Sequence, residues 1–134
     1  MKLIRISLLL SFITFFTGSL RAADPYISEF LASNTAGVSD SDGSSSDWIE
    51  IYNPGPTAVN LQGWYLSNDP LIPTRWVFPS SLNLNSGAYV YVWASNKAGV
   101  AGHSPDAGGR YHTNFTLSKS GGSVLLVKPD GTTV

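Results

Sequence analysis

The chain has 134 residues, enough for one domain. Charged residues make up only 13% of it and the formal net charge is −1, so no broad basic field is present to neutralise phosphates, and nucleic acid is not an expected partner. There is no cysteine, which excludes disulfides, a thiol nucleophile, thiolate zinc sites and a lipidated N-terminal cysteine.

The first segment reads as an export signal. Lys2 and Arg5 provide a positive start, residues 6–16 an apolar run, and Gly18, Ser19, Ala22 and Ala23 small residues after it. That order is the one a secretory signal peptide needs. The apolar run is well short of the ~20 residues that span a bilayer. Cleavage after Ala22 is preferred, because cleavage after Ala23 would put charged Arg21 three residues before the cut. The expected organisation is therefore a signal-peptide helix over 1–22 and one domain over 23–134. The expected destination is the periplasm, the cell surface or the medium, with no membrane span after cleavage.

From residue 26 onward the pattern is one of short strands. Strands are predicted over 26–31 and 48–52, separated by a Ser/Asp/Gly loop over 33–46. Asn53, Pro54, Gly55 and Pro56 make a turn, since neither proline can donate to a strand ladder. Val59 and Leu61 lead to Gly63, and further strands follow over 64–66 and 75–78. Leu82 and Leu84 alternate with Asn83 and Asn85, and the strongest strand spans 88–94. A Gly/Ala/Ser excursion over 95–109 precedes strands at 112–117 and 124–127. Asp130 and Gly131 form a hairpin turn, because that pair readily adopts positive φ. Only three residues follow, so the return strand is expected to be cut short and to leave a sheet edge exposed. Short strands with regular turn signals, and no amphipathic helical period after residue 23, predict an all-β antiparallel sandwich.

Within strands the side chains alternate between faces. Ile49 and Ile51 thus oppose Trp48, Glu50 and Tyr52, and Val90 and Val92 oppose Tyr89, Tyr91 and Trp93. The second of these strands is apolar on both faces, so it is predicted to be central and covered on both sides. The expected core is Ile49, Ile51, Leu61, Trp64, Leu66, Phe78, Val90, Val92, Leu125 and Val127.

Several pieces of this sequence, in order and at consistent spacing, resemble the lamin tail domain family, including its bacterial exported members. They are residues 27–30, 47–53 with its Asp-Trp-Ile-Glu-Ile-Tyr-Asn, 59–67 with Gly63-Trp64, and 76–79. They continue through Gly87 with Val90, Val92 and Trp93, then 112–115, and close with 122–127 and 129–131. The resemblance implies an immunoglobulin-like β-sandwich that serves as a non-catalytic interaction or tethering module, with a protein or a cell-surface component as its partner. No coiled-coil heptads precede the domain, so the filament-forming part of a nuclear lamin is not carried over.

Other chemistry is limited. Asp40, Asp42 and Asp47 share one loop, and calcium favours clustered carboxylates. The EF-hand spacing fails, and the ordinary reading is a solvated acidic loop. No other cofactor is expected. Glu50 is predicted to pair with Arg75 or Lys128. His103 and His112 lack further ligands spaced for zinc, and no nucleophile-elbow sequence supports a Ser-His-Asp triad. No catalytic residue is therefore assigned. A cleft holding Glu50 or His112 beside a second titratable group would argue the opposite. Tyr89, Tyr91 and Trp93 could instead form a sugar-stacking platform. That gives a second reading, a polysaccharide-binding sandwich accompanying a secreted hydrolase, against the commoner fate of aromatics as core.

Overall fold

A computed structural model describes residues 23–100 and 105–134. The predicted signal peptide and His103 lie outside the described residues. Nine strands are present among those described: β1 (Tyr26–Leu31), β2 (Asp47–Tyr52), β3 (Val59–Asn60), β4 (Tyr65–Ser67), β5 (Trp76–Val77), β6 (Asn83–Leu84), β7 (Tyr89–Ala94), β8 (Tyr111–His112) and β9 (Leu125–Val127). No helix among the described residues is long and apolar enough to cross a membrane.

The strands form a four-stranded sheet in the order β1-β2-β7-β8, a pair β3-β6, and a three-stranded sheet in the order β5-β4-β9. Every pairing is antiparallel except that of β7 with β8. This is an immunoglobulin-like sandwich with one parallel pair that the sequence did not disclose. Parallel neighbours need a long connection, and the excursion over 95–110 supplies it. β8 is also much shorter than the predicted strand over 112–117. Beyond His112 the chain follows the end of β7 by isolated contacts, a bridge between Ser95 and Thr116 and a bond from the Asn96 amide to the Phe115 carbonyl.

One core joins all three sheets. Ile49, Ile51 and Val92 line the inner face of the large sheet, Leu84 comes from the pair, and Leu66, Trp76 and Leu126 come from the three-stranded sheet. Fully burying one such side chain contributes about 1.5–3 kcal/mol. Trp76, Phe78 and Tyr111 pack edge-on or tilted, with ring centroids 4.8 to 6.2 Å apart. The Tyr111 hydroxyl meets Ser80 Oγ at 2.6 Å.

The predicted core needs two changes. Leu126, not Leu125, enters the main cluster, because Leu126 pairs with Leu66 and shares its face. Val127 is buried, but outside that cluster, while Val90 and Leu125 are only half-buried. The return segment after the last hairpin is paired as far as the chain runs. Thr133 bridges Val127, and the Val134 amide donates to the Leu126 carbonyl.

β7 is central in its sheet, as its composition suggested, but it is not covered on both sides. Its outer face is open at Tyr89 and Tyr91. That open face positions the candidate site.

Candidate functional site

The outer face of the large sheet is built by strand register. Tyr26 lies opposite Tyr52, and Tyr52 opposite Tyr89, which makes one row of tyrosines across β1, β2 and β7. Tyr26 meets Tyr52 edge-on at 5.7 Å, and Tyr52 stacks on Tyr89 at 4.5 Å with 29° between the rings. In the next row Glu50 lies opposite Tyr91, and in the third Trp48 lies opposite Trp93. Trp48 and Tyr91 pack edge to face at 5.4 Å.

A bulge in β1 completes the middle row. The register shifts between Ile27 and Glu29, so Ser28 and Glu29 both oppose Glu50. Ser28 Oγ donates to Glu50 Oε1 at 2.6 Å. The Tyr91 hydroxyl also hydrogen-bonds to this carboxylate, and that bond raises the Tyr91 pKa above the ordinary phenol value, with desolvation adding to it. The Tyr89 pKa is raised as well, by desolvation and then by the neighbouring Tyr52 and Glu50. The predicted partners of Glu50 are thus replaced. Arg75 donates to Asn68 and lies over the Phe115 ring, and Lys128 pairs with Asp24, because neither basic residue is on this face.

The three aromatic residues expected on one face of β7 do share it, but not one environment. Tyr89 is 55% exposed and Tyr91 41%, whereas Trp93 is 2% exposed. Arg110, which leads into β8, lays its guanidinium 5.8 Å from the Trp93 ring centroid, while β8 runs along the end of β7 with His112 opposite Trp93. Trp93 therefore forms a floor rather than part of an open platform. Trp48, Tyr91, Trp93, Arg110 and Val38 from the 33–46 loop line a cleft of about 210 Å³.

Asp40, Asp42 and Asp47 do not converge. Asp40 and Asp42 close on the Lys97 ammonium at 2.7 and 2.8 Å. Burial alone would lower the Lys97 pKa, but the hydrogen bonds to both carboxylates outweigh it and raise the pKa. Asp40 is itself buried and also takes the Ser46 hydroxyl and the Ser44 amide. Asp47 works elsewhere, accepting the Asn34 amide on one oxygen and the Leu117 amide on the other. No group of three or more His, Cys, Asp or Glu side chains arranged to hold a metal ion occurs among the described residues. Asp47→Ala is expected to cost about 2 kcal/mol in a urea titration, because two backbone amides in part-buried positions lose their acceptor.

One constellation escaped sequence reasoning. His112 is fully buried, with Nδ1 2.8 Å from Ser95 Oγ and Nε2 3.4 Å from Asp106 Oδ2. Burial would raise the Asp106 pKa, but the Arg110 and Gly108 amides, with help from His112 and Ser41, hold it below the ordinary aspartate value. Ser, His and Asp are therefore together, and His112 has a titratable neighbour within reach. The imidazole nonetheless has no exposed surface, so no substrate atom can approach it. The arrangement holds β8 and the turn at Asp106 against the end of β7. Glu50 has Tyr91 and Ser28 as partners, both hydroxyls that fix it as an acceptor.

Neither the curated proteins nor the solved structures contain a match to this chain. The family profile described as Lamin Tail Domain matches residues 21–134. With the sandwich and its open outer sheet face in view, the chain belongs to the Lamin Tail Domain family, whose domains are immunoglobulin-like and of the protein-interaction kind.

Proposed function

We propose that this chain is an interaction and tethering module of an exported bacterial protein, and that its contact surface is the outer face of the four-stranded sheet. The single observation that carries this reading is the row Tyr26, Tyr52 and Tyr89, continued by Tyr91, on a sheet face that no other described element covers. Tyrosine is well suited to such a surface, since it offers a large apolar ring and a polar tip with few rotamers to order. Export rests on the leader with Lys2, Arg5, the apolar run over 6–16 and Ala22. Expression of the full chain in a bacterium, followed by cell fractionation and N-terminal mass analysis, tests this part. A mature chain starting at Ala23 outside the cytoplasm is expected, and an unprocessed cytoplasmic chain would refute export.

The surface is tested by retention on isolated bacterial envelopes. The double variant Tyr26→Ala, Tyr89→Ala is expected to lose at least tenfold in retention while its melting curve stays close to the parent's. Equal retention would remove the tyrosine row from the contact.

A second reading is favoured by a specific observation, the near-parallel stack of Tyr52 on Tyr89 beside exposed Tyr91. Flat aromatic faces in a row suit the apolar faces of sugar rings, so a polysaccharide-binding module accompanying a secreted hydrolase is the alternative. Retention on immobilised glycans separates the two. Binding to envelopes but to no glycan favours a protein partner.

A further inference from the structure

The cleft at the Trp93 end of the tyrosine face has a polarity that its aromatic walls do not suggest. Arg110 is exposed and stacks over Trp93, and no carboxylate pairs with its guanidinium among the described residues. Tyr91 lines the same cleft, and its hydroxyl bonds to the Glu50 carboxylate. The cleft therefore offers a positive charge at Arg110, a phenol oxygen at Tyr91 that can receive a ligand's hydroxyl hydrogen, and aromatic walls.

A ligand complementary to these groups carries a carboxylate, hydroxyls and a flat apolar face. A sugar acid meets all three conditions. The cleft volume of about 210 Å³ suits one ring, and the tyrosines that continue from Tyr91 give neighbouring units of the same polymer a path along the sheet. Strand geometry places Tyr89 roughly 6.6 Å from Tyr91 along β7, a step on the scale of one sugar unit.

We propose that this cleft binds one hexuronate unit of an acidic polysaccharide, its carboxylate on Arg110 and its ring against Tyr91 and Trp48. This rests on the polysaccharide reading above and adds to it the charge of the sugar. Guanidinium suits the role because its planar fork matches a carboxylate with two parallel hydrogen bonds.

Calorimetry of the purified chain with trigalacturonate, its methyl ester and neutral maltotriose tests the proposal. Trigalacturonate is expected to bind at least tenfold more tightly than either neutral sugar. Arg110→Gln should reduce its binding to the level of the methyl ester, and Arg110→Lys should restore part of the difference. Tyr91→Phe, which keeps the ring and removes the hydroxyl bonded to Glu50, should weaken all three sugars that bind. Melting curves for each variant establish that the sandwich is intact. Equal binding of acid and ester, or undiminished binding by Arg110→Gln, would overturn the hexuronate assignment and leave the polysaccharide reading standing. No binding of any of the three sugars would overturn both. Hexaglutamate bound as tightly as trigalacturonate, with the same dependence on Arg110, would overturn the assignment in favour of an acidic protein partner.

Discussion

Asp106→Ala is expected to destabilise the sandwich by about 3 kcal/mol at neutral pH, measured by urea titration. One Asp106 oxygen accepts the Gly108 and Arg110 amides, and the other faces His112 Nε2. Hydrogen bonds to a charged acceptor contribute about 1.5–3 kcal/mol each. The two amides belong to exposed residues that water can reach, so the full sum is not lost. The buried imidazole has no such recourse. A domain of this size should lose roughly 15 °C in Tm for that change.

The same group predicts an acid limb. Its pKa in the folded chain is below the ordinary aspartate value, so the folded state binds this proton less readily than the unfolded chain. The stabilisation is complete above the ordinary aspartate range, near pH 4, and is lost as pH falls through the lower, folded value. Asp106→Asn removes the titration while keeping an amide oxygen for Gly108 and Arg110. It should therefore show a shallower loss of stability below pH 4 than the parent. Identical slopes in the two proteins would place the acid sensitivity in other carboxylates.

Different parts of this molecule were legible to different degrees, for physical reasons. Alternation with a period of two is readable wherever polar and apolar residues interleave, and it assigned Ile49 and Ile51 to the inner face and Glu50 and Tyr52 to the outer one. It fails at 124–127, where four apolar residues in succession carry no phase, and the core residue proved to be Leu126. It also cannot show how far a face stays open. Tyr89, Tyr91 and Trp93 are equivalent by alternation. Only the placement of Arg110 before β8, over one ring and not the others, separates floor from surface. The cleft is therefore a product of topology, and no local spacing announces it. The pairing of His112 with Ser95 and Asp106 arises in the same way. Asp106 sits in a Gly-rich stretch where an aspartate looks like an ordinary turn residue. Asp40, Asp42 and Asp47 show the converse, since proximity in sequence suggested one site whereas Lys97 holds the first two and two backbone amides hold the third.

Asn53 carries this lesson furthest, and its substitution should have the largest effect of any polar change in the chain. Beside Pro54, Gly55 and Pro56 it reads as a turn former, yet it is fully buried. Its side-chain oxygen accepts the Gly55 amide at 2.9 Å, and its Nδ2 donates to the Thr57 and Leu84 carbonyls at 2.8 and 2.9 Å. Its backbone amide donates to the Ala88 carbonyl, and its own carbonyl accepts from Gly87. One residue thereby joins the end of β2, the proline turn, β6 and the turn before β7, with every donor used. Asn53→Ala should cost about 3 kcal/mol, since three hydrogen bonds go and a cavity opens. Asn53→Asp should cost more at neutral pH, about 4 kcal/mol or above, although it is nearly the same size. Its second oxygen would face two carbonyl oxygens with no proton between them, in a place where burial penalises the charge. That penalty raises the folded-state pKa of the introduced carboxyl, so the damage should appear as pH rises above the ordinary aspartate range and diminish as pH falls towards it. Urea midpoints at pH 4.5 and pH 7.5 distinguish the two variants: Asn53→Asp should move closer to the parent at the lower pH, while Asn53→Ala should keep a constant offset. A constant offset for both would mean that the site admits enough water to keep the carboxylate solvated.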